Sequence, residues 1–233
     1  AAIGELMPEY WIGDNEDEGK NLNEEKLLAK NLQRAGMGCR WTYNKIISDA
    51  DGRSLNDKIP QLLANDFNVV VYNFVDMLSH ARTDVGVIRD MTGDEAGWLS
   101  LTHSWFIHSP LLELLRQVSA RGARVVITTD HGSVKVQKPV KVVGDRQTSM
   151  NLRYKTGRNL DYNARDLFEI TAPAKAGLPM TNITSRYIFA CGNDFLVYPN
   201  NYNHIVSYYR DSFQHGGVSL QEMMLPLVTL EPV

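Results

Sequence analysis

Two rhythms run along the chain. Leu27, Leu28 and Leu32 recur at helical spacing inside the polar stretch 24–35, which Asn23 can cap and Gly36 can end. The acidic residues 13–25 before it read as a surface loop. Residues 39–47 suit a short strand and 55–64 a second helix. Phe67, Val69, Val70, Val71, Tyr72 and Phe74 crowd into eight positions, the pattern of a strand buried on both faces. Helical spacing returns over 99–121 and stops at Gly122, and Val125, Val126 and Ile127 inside 124–129 predict another buried strand. Strand, long crossover helix, strand is the grammar of a parallel sheet.

Residues 133–183 break that grammar. Their short alternations of polar and apolar residues, with Gly144 and Gly157 among them, predict an inserted β-rich cap of short strands and loops. In 187–198, Gly192, Asn193 and Asp194 separate two apolar runs, a hairpin signal. Ser219 followed three positions later by Glu222 is a capping box for a short helix over 219–224, set to support His215 from behind. Pro226 and a last strand, Leu227–Leu230, close the chain. The expected architecture is one α/β domain over 1–233, with a mainly parallel sheet flanked by helices and the cap at 133–183.

Composition narrows the function. At 233 residues, 43% hydrophobic and 22% charged, the chain can bury one large core. It has no apolar run near the roughly 20 residues a membrane span needs, and no secretory signal at its start. Cys39 and Cys191 are too few for a disulfide framework and suit a reducing compartment, so a cytoplasmic location is expected. A net charge of −3 argues against nucleic-acid binding through a broad basic surface, so any anion site must be local. The opening, Ala1 to Pro8, reads like the middle of an element, and a fragment is expected.

The chemistry gathers just beyond the two apolar strands, where open α/β sheets place their ligands. Asp76 and His80 are four apart and share a face of any helical turn, so that one carboxylate and one imidazole can meet a single cation. Asp130, His131 and Gly132 follow the second strand, with the glycine expected to free the backbone for a sharp exit. His215 precedes Gly216 and Gly217, which let the main chain pass close behind a ligand. Mixed oxygen and nitrogen donors suit Zn²⁺, and also Mn²⁺ or Fe.

The blocks Asn73 to His80, Thr129 to Gly132 and His215 to Pro226 resemble the alkaline phosphatase superfamily. Over essentially the whole chain the sequence is similar to the C-terminal part of a PglZ domain, of the kind joined to a receiver in PorX-type response regulators. The resemblance implies two divalent metal ions, with Zn first and Mn second. Asp76, His80 and His215 would hold one, and Asp130 and His131 the other. It implies an upstream Asp ligand and a Thr or Ser nucleophile, both expected before Ala1, and a phosphatase or phosphodiesterase acting on a phosphate ester, nucleotide or oligonucleotide. It also implies a receiver domain as partner, a homodimer, no membrane, and the alternative of a non-catalytic signalling output domain that keeps its metal site.

Within the cap, Arg146, Arg153, Lys155 and Arg158 cluster around Gly157. Arg153 and Lys155 are the candidates for holding substrate. His103, His108 and His204 read as structural or exposed, and Trp98, Trp105, Tyr208 and Tyr209 as packing aromatics.

Overall fold

The computed structural model describes residues 23–74, 94–144, 151–178 and 184–232. Asp76, His80 and Arg146 therefore lie outside the described residues. The chain divides into two compact units. One is His131–Met224 with the helix α1, Glu24–Arg34; the other is Cys39–Asp130 with the last strand. Helices and strands are mixed in a chain with no helix, among the described residues, long and apolar enough to cross a membrane.

In the unit built on Cys39–Asp130, strand β1 (Trp41–Ile46) leads through helices α2 (Asp49–Asn56) and α3 (Ile59–Leu62) into β2 (Phe67–Tyr72). β1 and β2 pair in parallel, Trp41 opposite Phe67 and Ile46 opposite Tyr72. The strand–helix–strand unit thus sits one step earlier in the chain than its sequence pattern predicts. The single helix expected at 55–64 is two, and the first begins at Asp49. Ser48 accepts the Asp51 amide at 3.2 Å and starts α2, while Pro60, with no amide hydrogen, suits only the first turn of α3.

The helix expected at 99–121 is also two, α4 (Glu95–His108) and α5 (Pro110–Ser119). Pro110 causes the break: it cannot donate inside a helix and forces Ser109 into an extended conformation, φ −84° and ψ 155°. Ile46, Leu55, Ile59, Leu62 and Leu114 form the core of this unit. Burying Ile59 completely contributes about 2 kcal/mol by transfer alone. Trp105 of α4 stacks on Phe74, with ring centroids 3.8 Å apart.

β3 (Val125–Thr128) pairs antiparallel with β11 (Leu227–Leu230), Val125 opposite Leu230. The apolar run predicts a strand buried on both faces, yet Val126 is 54% exposed and β2 is only half-buried. A two-stranded sheet covers each strand on one edge alone, and an apolar run reports composition, not coverage. Among the described residues the strands form five small sheets, two of them parallel.

The other unit is mostly β-structure: β4 (Val134–Lys135), β5 (Lys138–Lys141), β6 (Tyr154–Gly157), β7 (Leu167–Ile170), β8 (Arg186–Ala190), β9 (Asp194–Val197) and β10 (Phe213–Gln214), with helices α6 (Tyr202–Tyr209) and α7 (Leu220–Met223). The strands of 133–183 find their partners beyond 183. β6 and β7 flank β8 antiparallel, β5 runs parallel to β9, and β4 pairs with β10. The expected hairpin at 187–198 keeps its turn, where Asp194 donates to the Cys191 carbonyl at 3.0 Å. Its strands nevertheless part into different sheets, because β6 and β7 already occupy both edges of β8. Cys39 and Cys191 are free thiols.

Candidate functional site

The short ladder between β4 and β10 brings two distant loops together. Gln214 lies opposite Val134 and Phe213 opposite Lys135, and Val136 extends the ladder by donating to the Ser212 carbonyl at 2.9 Å. The strands run antiparallel, so the residues before β4 lie beside those after β10. His131 and His215 meet there with rings stacked nearly parallel, 3.8 Å between centroids and 9° between planes. Two of the expected ligands, 84 positions apart by their numbers, are side by side.

Both loops dock on the one-turn helix α7. The Gly132 amide donates to the Glu222 carbonyl at 3.0 Å, and the Gly217 amide donates to Glu222 Oε1 at 2.9 Å. These contacts explain the two glycines. A Cβ on Gly132 would fall 2.0 Å from the Gln221 carbonyl oxygen, so close approach, not a sharp strand exit, is what excludes a side chain there. A Cβ on Gly217 would lie 2.6 Å from Arg153 Nη2 and 2.7 Å from the Ala190 carbonyl oxygen. Gly216 needs glycine for another reason, its φ of +105°.

Beneath the loops lies a buried ion pair. Glu222 Oε1 accepts from Arg153 Nε at 2.8 Å, and Oε2 from Arg153 Nη2 at 2.6 Å. Oε2 also accepts from the Ser219 hydroxyl at 2.6 Å and the Ser219 amide at 3.0 Å, which completes the expected capping box. Burial pushes the Glu222 carboxyl up, but hydrogen bonds from Arg153, Ser219 and the Gly217 amide outweigh it and hold the group below the usual glutamate range. Arg153 further donates to the carbonyls of Gly192 at 2.9 Å, Ala190 at 3.3 Å and Asp194.

The sequence pattern suggests substrate contacts for Arg153 and Lys155, but their side chains are 0% and 1% exposed. Arg153 instead ties the turn at 190–194 to the loop at 217–222. Lys155 places Nζ 4.2 Å over the Tyr198 ring, a cation–π contact inside the fold. Asp130 is exposed and is the last residue of one unit, with His131 the first of the other. Among the described residues no three His, Cys, Asp or Glu side chains gather as a metal site.

Residues 2–230 match the family model described as the BREX system PglZ alkaline phosphatase-like domain. The chain belongs to the PglZ family. No curated protein matches this PglZ domain. An alkaline phosphatase-like domain suggests phosphoesterase activity, in a superfamily that generally uses divalent metals.

The His131 and His215 side chains fit such ions chemically. His131 Nδ1 lies 3.1 Å from the Gly132 carbonyl oxygen, which can only accept. The contact suits the Nδ1–H tautomer, in which Nε2 would be the metal-binding nitrogen. Among the described residues, His103, His108 and His204 are exposed surface groups. His108 Nδ1 lies 2.9 Å from the Ser104 carbonyl, and His204 lies over Tyr208 with ring centroids 6.1 Å apart.

Sequence reading overlooks Asn151, whose Oδ1 accepts the Arg153 amide at 2.7 Å and the Tyr154 amide at 3.2 Å. The same side chain would lie within 3.3 Å of a Cβ on Gly216. An Asn accepting the amide two residues on is a local turn signal, and it is visible in the sequence.

Proposed function

We propose that this PglZ domain is a metal-dependent phosphohydrolase acting on phosphodiesters or phosphomonoesters of the nucleotide type. The stacked pair His131 and His215 carries the reading. Two parallel imidazoles 3.8 Å apart present their edges at the spacing, about 4 Å, that separates the ions of two-metal phosphoryl-transfer sites. His215 would serve one ion with Asp76 and His80, and His131 the other with Asp130; Zn²⁺ suits these donors best and Mn²⁺ next.

A divalent pair, when bound, supplies positive charge to the oxygens of an in-line displacement. The protein's part is to hold the imidazoles in orientation, to which the Gly132 carbonyl beside His131 and the two loop contacts to Glu222 contribute. The parallel pair β1–β2 supports, as part of the same reading, a mainly parallel core with a β-rich cap at 133–183. The PorX-like resemblance extends the reading to an output domain under a receiver, dimeric and cytoplasmic.

The test is hydrolysis of a chromogenic phosphodiester by the full-length protein with Zn²⁺ or Mn²⁺. Turnover that disappears in His80→Ala and in His215→Ala is the expected result. Turnover unchanged in both would refute the site. Metal binding without turnover would assign the domain to signalling output instead of catalysis.

A further inference from the structure

We infer that Arg153 and Glu222 are positioning residues for the metal site, and that Glu222 links its two histidine loops to each other beyond the β4–β10 ladder. The inference rests on the proposed metal-dependent reading and deepens it.

Glu222 holds one loop by its side chain and the other by its main chain. Oε1 accepts the Gly217 amide, two residues past His215, at 2.9 Å. The Glu222 carbonyl accepts the Gly132 amide, one residue past His131, at 3.0 Å. Past the end of the β4–β10 ladder, Glu222 thus bonds both histidine loops. That residue cannot turn, because its carboxylate is fixed from the opposite side by the Arg153 fork at 2.6 and 2.8 Å and by Ser219. Arg153 is immobilised in turn by the carbonyls of Ala190, Gly192 and Asp194.

Stability alone does not call for this arrangement. Desolvating a carboxylate and a guanidinium costs as much as their attraction returns, and apolar replacements of similar volume are often as stable. What an apolar pair cannot do is aim a carboxylate oxygen at the Gly217 amide. The absence of a Cβ at Gly217, 2.6 Å from Arg153 Nη2, shows the loop lying directly on the guanidinium. Outer-shell groups that orient metal ligands typically change metal affinity by about 10- to 100-fold when altered.

The experiment compares wild type, Glu222→Gln, Arg153→Lys and a control, Val142→Ala, which weakens a core cluster of the same unit at a residue bonded to Val197. Zn²⁺ affinity is measured by competition with a chromogenic chelator. Imidazole NMR shifts of His131 and His215 are recorded without metal, where stacked rings shield one another. Glu222→Gln and Arg153→Lys should weaken Zn²⁺ binding by about 10- to 100-fold and erase the mutual shielding. Val142→Ala, matched in thermal stability, should keep both.

Wild-type shielding and affinity in the two clamp variants would overturn the inference. So would an equal loss in the control, because general destabilisation would then explain it. If wild type shows the shielding, Glu222→Gln abolishes it and neither binds Zn²⁺, the positioning role stands and the metal reading falls. Should Glu222→Gln not fold, Arg153→Lys, which keeps the charge and loses the fork, carries the comparison.

Discussion

The two units hold themselves together by different means. Around Ile46, Leu55, Ile59, Leu62 and Leu114 the helices and strands of one unit meet through apolar contact. That packing is loose about polar detail: the Tyr72 hydroxyl and Asn56 Oδ1 are buried with no hydrogen-bond partner. Around Glu222 the other unit does the reverse. A buried carboxylate there accepts from Arg153, Gly217 and Ser219 on both oxygens. Apolar burial is non-directional and fixes a layer to within a rotamer. Hydrogen bonds fix a loop to within a few tenths of an ångström, and the histidine loops are where that matters.

The comparison predicts a double dissociation. Arg153→Met strands a buried carboxylate, which typically costs about 3–5 kcal/mol. Hydrogen exchange should accelerate most at the amides of Gly132 and Gly217, with β1 and β2 nearly unaffected. Ile59→Ala opens a cavity in the other unit at about 3 kcal/mol and should produce the opposite map. If either variant accelerates exchange equally in both units, the units unfold as one and the contrast fails.

Acid offers a milder probe of the same clamp. The Glu222 carboxyl is held below its ordinary range, so its contribution to stability is complete above the unfolded-state value and disappears as pH falls through the lower folded value. Thermal melts should therefore show a loss of stability below about pH 4 that is absent from Glu222→Gln. A parallel decline in both proteins would assign the acid sensitivity to other carboxylates.

What could be read in the sequence follows from the range of each interaction. Ser219 and Glu222 are three apart, and their capping box is legible because both partners sit in one turn. Asp130, His131 and His215 stand out because their glycine neighbours permit close approach, although the spacing alone misassigns the reason for Gly132. Pro110 is equally local, but eleven positions of helical spacing on each side of it within 99–121 outweigh it in a pattern reading. The Arg153–Glu222 pair is invisible in this sense: 69 residues separate its members, and a basic residue near Gly157 looks like any solvated loop charge. The apolar runs at β2 and β3 announce strands but not their cover, since coverage depends on partners the run does not encode. Asp76 and His80 lie outside the described residues, so the first half of the expected ligand set stands on the sequence.

The smallest predicted effects are the most discriminating, because two hydroxyl deletions should differ in sign. Ser219→Ala removes a group that donates to Glu222 Oε2 at 2.6 Å and accepts the Glu222 amide at 3.3 Å, so the loss of this cap should cost about 1 kcal/mol. Tyr72→Phe removes a hydroxyl that burial and the Asp49 charge push up to a pKa of about 12, and that has no partner to lose. Deleting it relieves an unsatisfied buried dipole, and the protein should gain up to about 1 kcal/mol in a denaturant melt. The aromatic ring stays, with its edge-on contact to Trp105 at 6.3 Å, so packing is not the variable. A loss in Tyr72→Phe comparable to that in Ser219→Ala would mean the hydroxyl is bonded after all, and both units would then depend on satisfied polar groups to the same degree.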